Sequence, residues 1–264
     1  MSKSSKPELK LPASAEPEEV VKLITRALES LVDDERYREG VTRVIPGAGM
    51  VYGVRVPDLR ELARQIIKTY PSQSDIVIEI AEACWRVGSR EHSVLAILIL
   101  AGMKVLTPEE RWELGLRFLP DVGDWETCDQ LCMGLLGQAL TNKPTYMDSL
   151  ESWVQDPNFW VRRAALASTV VLRRAKFDAE TLQSLNQRTL GLCFDLLDDK
   201  QHYVRKAVDW AVRELIRRDY DLGCRWLMAR ATDELTSVAR STLKKSAKKL
   251  SSEDQARFLH KLDQ

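Results

Sequence analysis

The chain repeats itself at a fixed offset, and this constrains its fold more than any other feature. Asp156-Pro-Asn-Phe-Trp-Val161-Arg162-Arg163-Ala164-Ala165 matches Asp199-Lys-Gln-His-Tyr-Val204-Arg205-Lys206-Ala207-Val208, 43 residues further on. In both copies an Asp stands five positions before a Val-Arg-basic-Ala run, the pattern of a turn that feeds a helix. The Asp suits a helix N-cap, the Val and Ala suit packing on a neighbouring layer, and the Arg suits the ridge. A helical unit of this size cannot bury its apolar face alone and must stack on its neighbours.

The offset falls within the roughly 40–47-residue period of HEAT-type repeats. The rest of the chain also reads as helix. Val20, Val21, Ile24, Leu28 and Leu31 recur at spacings of three and four. The pattern returns over 57–70, with Pro57 in a first turn and Asp58 at the positive end of the helix dipole. Breaks fall at Pro46–Gly49, Pro71–Ser74, Gly88–Ser89, Thr107–Pro108, Pro120–Gly123, Asn142–Pro144, Asp156–Pro157 and Asp198–Asp199. No stretch alternates apolar and polar residues as a strand would. The expected fold is therefore all-α, a curved solenoid of HEAT-like helical repeats. Residues 1–16, rich in Ser, Pro, Lys and Glu, are expected to form a flexible N-terminal arm, and 17–264 a single HEAT-like repeat domain.

Several function classes find no support. The longest apolar run, Val94–Met103, is ten residues, against about 20 for a membrane span. The N-terminus has no apolar stretch of signal-peptide length, so a cytoplasmic location is expected. Five cysteines and the scattered His92, His202 and His260 suggest neither a disulfide framework nor a zinc cluster, and neither metal nor cofactor is expected. Gly-rich phosphate loops and a G-x-S-x-G nucleophile elbow are missing. The 39 basic and 39 acidic residues cancel, but unevenly: 16–39 holds eight acids and four bases, whereas 225–250 holds seven bases and two acids. Such polarity gives a neutral protein a local positive face, although solvated helix surfaces give the same count.

Candidate chemistry centres on two tryptophans. In Gly123-Asp124-Trp125-Glu126-Thr127-Cys128-Asp129 a loop ends and a helix begins, which puts Trp125 and Asp129 on one face. Trp210, Arg213 and Glu214 share a stripe on the helix that follows the second repeat copy. Packing of Trp between helices and pairing of Asp129 with an Arg fit the same spacings. Carboxylate chemistry is what remains for an enzyme, with Asp129 the leading candidate. Asp124 and Glu126 fit helix N-terminal charging equally well.

Taken in order, these segments resemble the AlkD-type DNA alkylpurine glycosylases, which are built of HEAT-like repeats. The likeness is carried by Trp125-x-x-x-Asp129, by Asp156-x-Asn158-x-Trp160-Val-Arg-Arg163-Ala-Ala, by Lys206-Ala-Val-x-Trp210-x-x-Arg213-Glu214 and by Tyr52-Gly-Val-Arg-Val-Pro57-x-Leu-Arg60. Together they span about residues 50 to 220. The resemblance implies an active site of Trp125, Trp210 and Asp129, with Arg163 and Arg213 gripping the DNA backbone. Arg162, Arg205 and Lys206, at equivalent places in the two repeat copies, and Arg60 join them as candidate DNA-binding residues. Relatives often carry Asp where this chain has Glu126. The implied partner is duplex DNA bearing alkylated purines, bound by a monomer.

The implied reaction suits these residue types. A purine alkylated at N3 or N7 is cationic and already a good leaving group, so the remaining task is to stabilise the sugar as an oxocarbenium ion, as in glycoside hydrolysis. One ionised carboxylate beside aromatic surface meets that need. Base flipping and attack on a base left stacked are both open routes. The alternatives are a non-catalytic HEAT-repeat protein that binds damaged or branched DNA, and a protein–protein scaffold.

Overall fold

The computed structural model describes residues 9–12, 16–232 and 234–264. Among them every regular element is helical and no strand occurs. The fold is all-α, and it divides into two compact units, 1–136 and 137–264. Of the expected N-terminal arm, 1–8 and 13–15 lie outside the described residues. Residues 9–12 are held: the Leu9 amide donates to Gln65 Oε1 at 2.8 Å and the Tyr70 hydroxyl to the Pro12 carbonyl at 2.9 Å.

The first unit contains α1 (Pro17–Ser30), α2 (Glu35–Val44), α3 (Val56–Thr69), α4 (Ser74–Val87), α5 (Arg90–Gly102), α6 (Pro108–Phe118) and α7 (Trp125–Leu131). The breaks expected from Pro and Gly separate the helices from α2 onward, whereas α1 and α2 part at 31–34, where no break was expected and Asp34 caps α2. Ser89, Thr107 and Asp124 cap α5, α6 and α7, each accepting a hydrogen bond from a first-turn amide. Helix α5 is the hub, with α3, α4 and α7 packed on it. It is apolar nearly all round, with Val94, Leu95, Ala96, Ile97, Ile99 and Leu100 buried, which is the composition of a helix enclosed on every side.

The second unit contains α8 (Gly137–Asn142), α9 (Met147–Ser152), α10 (Phe159–Ala167), α11 (Ala179–Asp195), α12 (His202–Arg218), α13 (Tyr220–Arg230), α14 (Ser237–Ser246) and α15 (Ser252–Leu262). Here α12 is the hub and touches α10, α11, α13 and α14. Its inner face is Val204, Ala207, Val208, Ala211, Val212 and Leu215.

The 43-residue offset reappears as duplicated hydrogen bonding. Arg162 donates to the carbonyls of Asp156 and Pro157, at 2.7 and 3.3 Å, while Arg205 donates to those of Asp199 and Lys200, at 2.6 and 2.8 Å. Asp156 and Asp199 each accept from the amide two residues on. The N-cap positions are therefore two residues later than the sequence suggested, at Asn158 and at Gln201, and the Gln201 side chain makes no cap hydrogen bond. Asn158 accepts from the Trp160 amide as the cap of α10, and each Asp shapes the turn that leads into its helix. The two copies are also joined, because Arg162 reaches Asp199 at 2.7 and 3.2 Å.

Candidate active site

Helix α7 begins at a buried cap. Asp124 Oδ1 accepts from the Thr127 amide at 2.8 Å, and its Oδ2 from the Thr127 hydroxyl at 2.7 Å. The Trp125 ring packs on Val41, Ile45 and Ala48, and its Nε1 donates to the Val44 carbonyl at 2.9 Å. Trp125 thus ties the start of α7 to the end of α2. Asp129 follows one turn later and is 9% exposed. Beyond it the chain widens into a π-helical segment, Cys132–Leu136, where a Cβ on Gly134 would sit 3.1 Å from Ile97 and 3.3 Å from Ala101. The bare glycine lets this segment lie close against α5.

A buried ion network fixes the same helix from the other side. Arg90 is 2% exposed and grips Glu126 with two bonds, Nε to Oε2 at 2.6 Å and Nη2 to Oε1 at 2.9 Å. Its Nη1 donates to the Val54 carbonyl and to Glu91, both at 3.0 Å. Glu91, fully buried, accepts from the amides of Tyr52, Gly53 and Val54 at 2.9, 2.9 and 3.2 Å. Gly53 can present its amide because it adopts φ +90°, and a Cβ there would come within 2.9 Å of the Arg38 side chain. Burial alone would make Arg90 easier to deprotonate, but the Glu126 bonds and the Glu91 charge outweigh it and hold the guanidinium above its ordinary pKa. Glu126 is thereby assigned a positioning task, holding α7 and with it Trp125 and Asp129.

His92, next in the chain, is also fully buried. The Thr25 hydroxyl already donates to the Val21 carbonyl, so at 3.0 Å from His92 Nε2 it accepts the imidazole proton. Ser89 Oγ, 2.7 Å from Nδ1, then donates, which defines a neutral Nε2–H ring. Burial pushes its pKa down to about 4 against the opposing Glu91 charge. The run Arg90-Glu91-His92 carried no motif in the sequence. Its signal is positional: three polar residues open a helix whose remainder is too apolar to be exposed.

In the second unit Trp210 is half-buried on α12. Arg213, one turn from Asp209, pairs with it at 3.0 Å, and Ser246 adds a hydroxyl bond to that carboxylate at 3.3 Å. Glu214 is buried between Arg173 and Arg217. Arg163 is only 4% exposed and donates to the Tyr203 carbonyl. Arg162 and Arg205 are half-buried and hold the repeat turns described above. Lys206 is exposed, with its ammonium 5.9 Å from the Tyr203 ring centre. Arg60, in the first unit, is exposed on α3.

The paired turns, with their arginines repeated 43 residues apart, define an all-α protein built of helical repeats. The chain belongs to the DNA alkylation repair enzyme family, whose model matches residues 24–250. Its fold is similar to a solved structure described as a "predicted DNA alkylation repair enzyme from Enterococcus faecalis", with TM-score 0.62 and 18% identity, over 81% of this chain and 96% of that one. No curated protein sequence matches the chain. Family membership connects the protein to repair of alkylated DNA. Among the described residues no helix is long and apolar enough to cross a membrane.

Proposed function

We propose that the protein is a DNA glycosylase that excises cationic N3- or N7-alkylated purines from duplex DNA. The observation that carries this reading is Asp129, a carboxylate 9% exposed, one turn from Trp125, on a helix locked by the Arg90–Glu126 pair. Breaking the N-glycosidic bond sends its electron pair to the purine, which leaves as a neutral base. Positive charge then develops at C1′ of the sugar. Asp129 stabilises that charge and orients the water whose oxygen bonds to C1′ as it gives up a proton. No general acid is needed, because the alkyl group has already supplied the leaving group's charge.

Trp125, on the same helix as Asp129, supplies aromatic surface that excludes water and strengthens the attraction between carboxylate and cation, and Trp210 is the second indole that the resemblance implies. Lys206, Arg213 and Arg60 meet backbone phosphates. Arg162, Arg163 and Arg205 raise the local potential while holding the repeat turns in place. The test is excision from duplex DNA treated with a methylating agent. Release of 7-methylguanine or 3-methyladenine by the protein supports the reading, and salt-sensitive binding without release rejects it. The second outcome would favour a passive binder of damaged DNA, a reading that the deep burial of Asp129 also fits.

A further inference from the structure

The Lys-rich segment 244–249 lies beyond the sequence motifs quoted above, yet through Lys245 it helps to form a cleft of about 190 Å³ between α12 and α14. Arg205 and Lys206 enter this cleft from α12, and Ser237, Ser241 and Lys245 from α14. Among the described residues neither Lys206 nor Lys245 has an acidic partner. The one acid in the lining, Asp209, is already paired with Arg213. The cleft therefore holds unneutralised positive charge beside two hydroxyl donors. Its field registers on His202 at the rim, whose pKa is lowered first by burial and then by Lys206, Arg205 and Lys245. Helix α12 adds its own positive end, since the Gln201 side chain makes no cap hydrogen bond.

The adjacent lysines differ. Lys244 is paired with Asp263 at 3.0 Å, whereas Lys245 lines the cleft. We infer that the α12–α14 cleft is a phosphodiester-binding site, held by Lys206 and Lys245 with Ser237 and Ser241, that seats one backbone phosphate of duplex DNA. The inference rests on the DNA-binding half of the reading above and not on its chemistry.

The experiment compares Lys244→Gln with Lys245→Gln, equal charge changes at neighbouring positions, by measuring the affinity of the full chain for an unmodified duplex across salt concentrations. Losing one phosphate contact lowers the slope of log K against log salt by about 0.9, which is about eightfold in affinity at 0.1 M salt. That loss is expected for Lys245→Gln and not for Lys244→Gln. Equal effects of the two variants, or none from Lys245→Gln, overturn the site, as does wild-type protein that binds no duplex. Inorganic phosphate, added while the His202 ring is followed by NMR, separates a cleft that takes any free phosphate from one that needs the DNA backbone. Competition of millimolar phosphate with duplex for the same His202 shift would overturn the backbone assignment. Methylated-base release is measured alongside. A wild type with a Lys245-dependent slope and no release would sink the glycosylase reading and leave this site standing, and release with an unchanged Lys245→Gln slope would do the reverse.

Discussion

The starts of α7 and of α10 and α12 are fixed by charge in two different ways. At α7 a single guanidinium, 2% exposed, is wedged between two carboxylates and bonds to a loop carbonyl. At α10 and α12 an arginine folds back on the carbonyls of its own turn, and one of the two reaches the Asp of the next copy. The first arrangement is costly to desolvate and has no tolerance for losing a member. The second is cheap, local and repeatable. The difference teaches where a chain needs one exact helix placement and where it needs only to continue a stack. The buried network sits behind the helix that carries Asp129, and the repeated turns sit along the unit that carries most of the candidate phosphate ligands.

Substitutions in the two regions should separate them by size of effect. Arg90→Met strands the buried Glu91 and the partly buried Glu126, so unfolding in urea is expected to show a loss of about 3–5 kcal/mol. A loss under about 1 kcal/mol would mean that the network is not what holds α7. His92 gives a pH signature in the same region. Its folded pKa, about 4, lies below the ordinary 6.5, so the unfolded chain binds the extra proton between those values. Stability is therefore intact above pH 6.5 and declines as pH falls towards 4, by roughly 3 kcal/mol in total. Replacing His92 by Gln should flatten that part of the stability–pH curve, and an unchanged curve would assign the decline to other groups.

Effects in the repeat turns should be smaller. Arg162→Ala removes its bonds to Asp199 and to the Asp156 turn, and is expected to cost about 1.5–3 kcal/mol by urea midpoint. A cost matching that of Arg90→Met would erase the distinction between the two regions. Smallest of all is Arg86→Ala. Its partner Glu18 and Arg86 itself are both more than half exposed, so a change within about 0.5 kcal/mol is expected.

Much of the fold was legible because it rests on local signals. Pro and Gly breaks, capping residues and helical spacing placed most of the helices, and the 43-residue offset located the pair of turns whose Arg–carbonyl and Asp–amide bonds the structure duplicates. The roles of the arginines were less legible. Val-Arg-basic-Ala reads as a surface ridge, yet Arg162 and Arg205 turn back on the chain and Arg163 is buried, because backbone carbonyls, which sequence does not label, draw them in, joined for Arg162 by the Asp199 carboxylate. Trp125 and Asp129 were visible from their spacing and their place at a helix start. The network behind them was not, since Glu91 is satisfied by three consecutive loop amides and Arg90 by a glutamate 36 positions away.

The most direct measurement is single-turnover release of 7-methylguanine from methylated duplex, comparing wild type with Asp129→Asn at equal duplex occupancy. A drop of about 10²–10³-fold with unchanged duplex affinity is the expected result, the size seen when one charge-stabilising group is removed from a reaction centre. Release within a few fold of wild type would contradict the assignment of Asp129 as the group that stabilises the sugar cation.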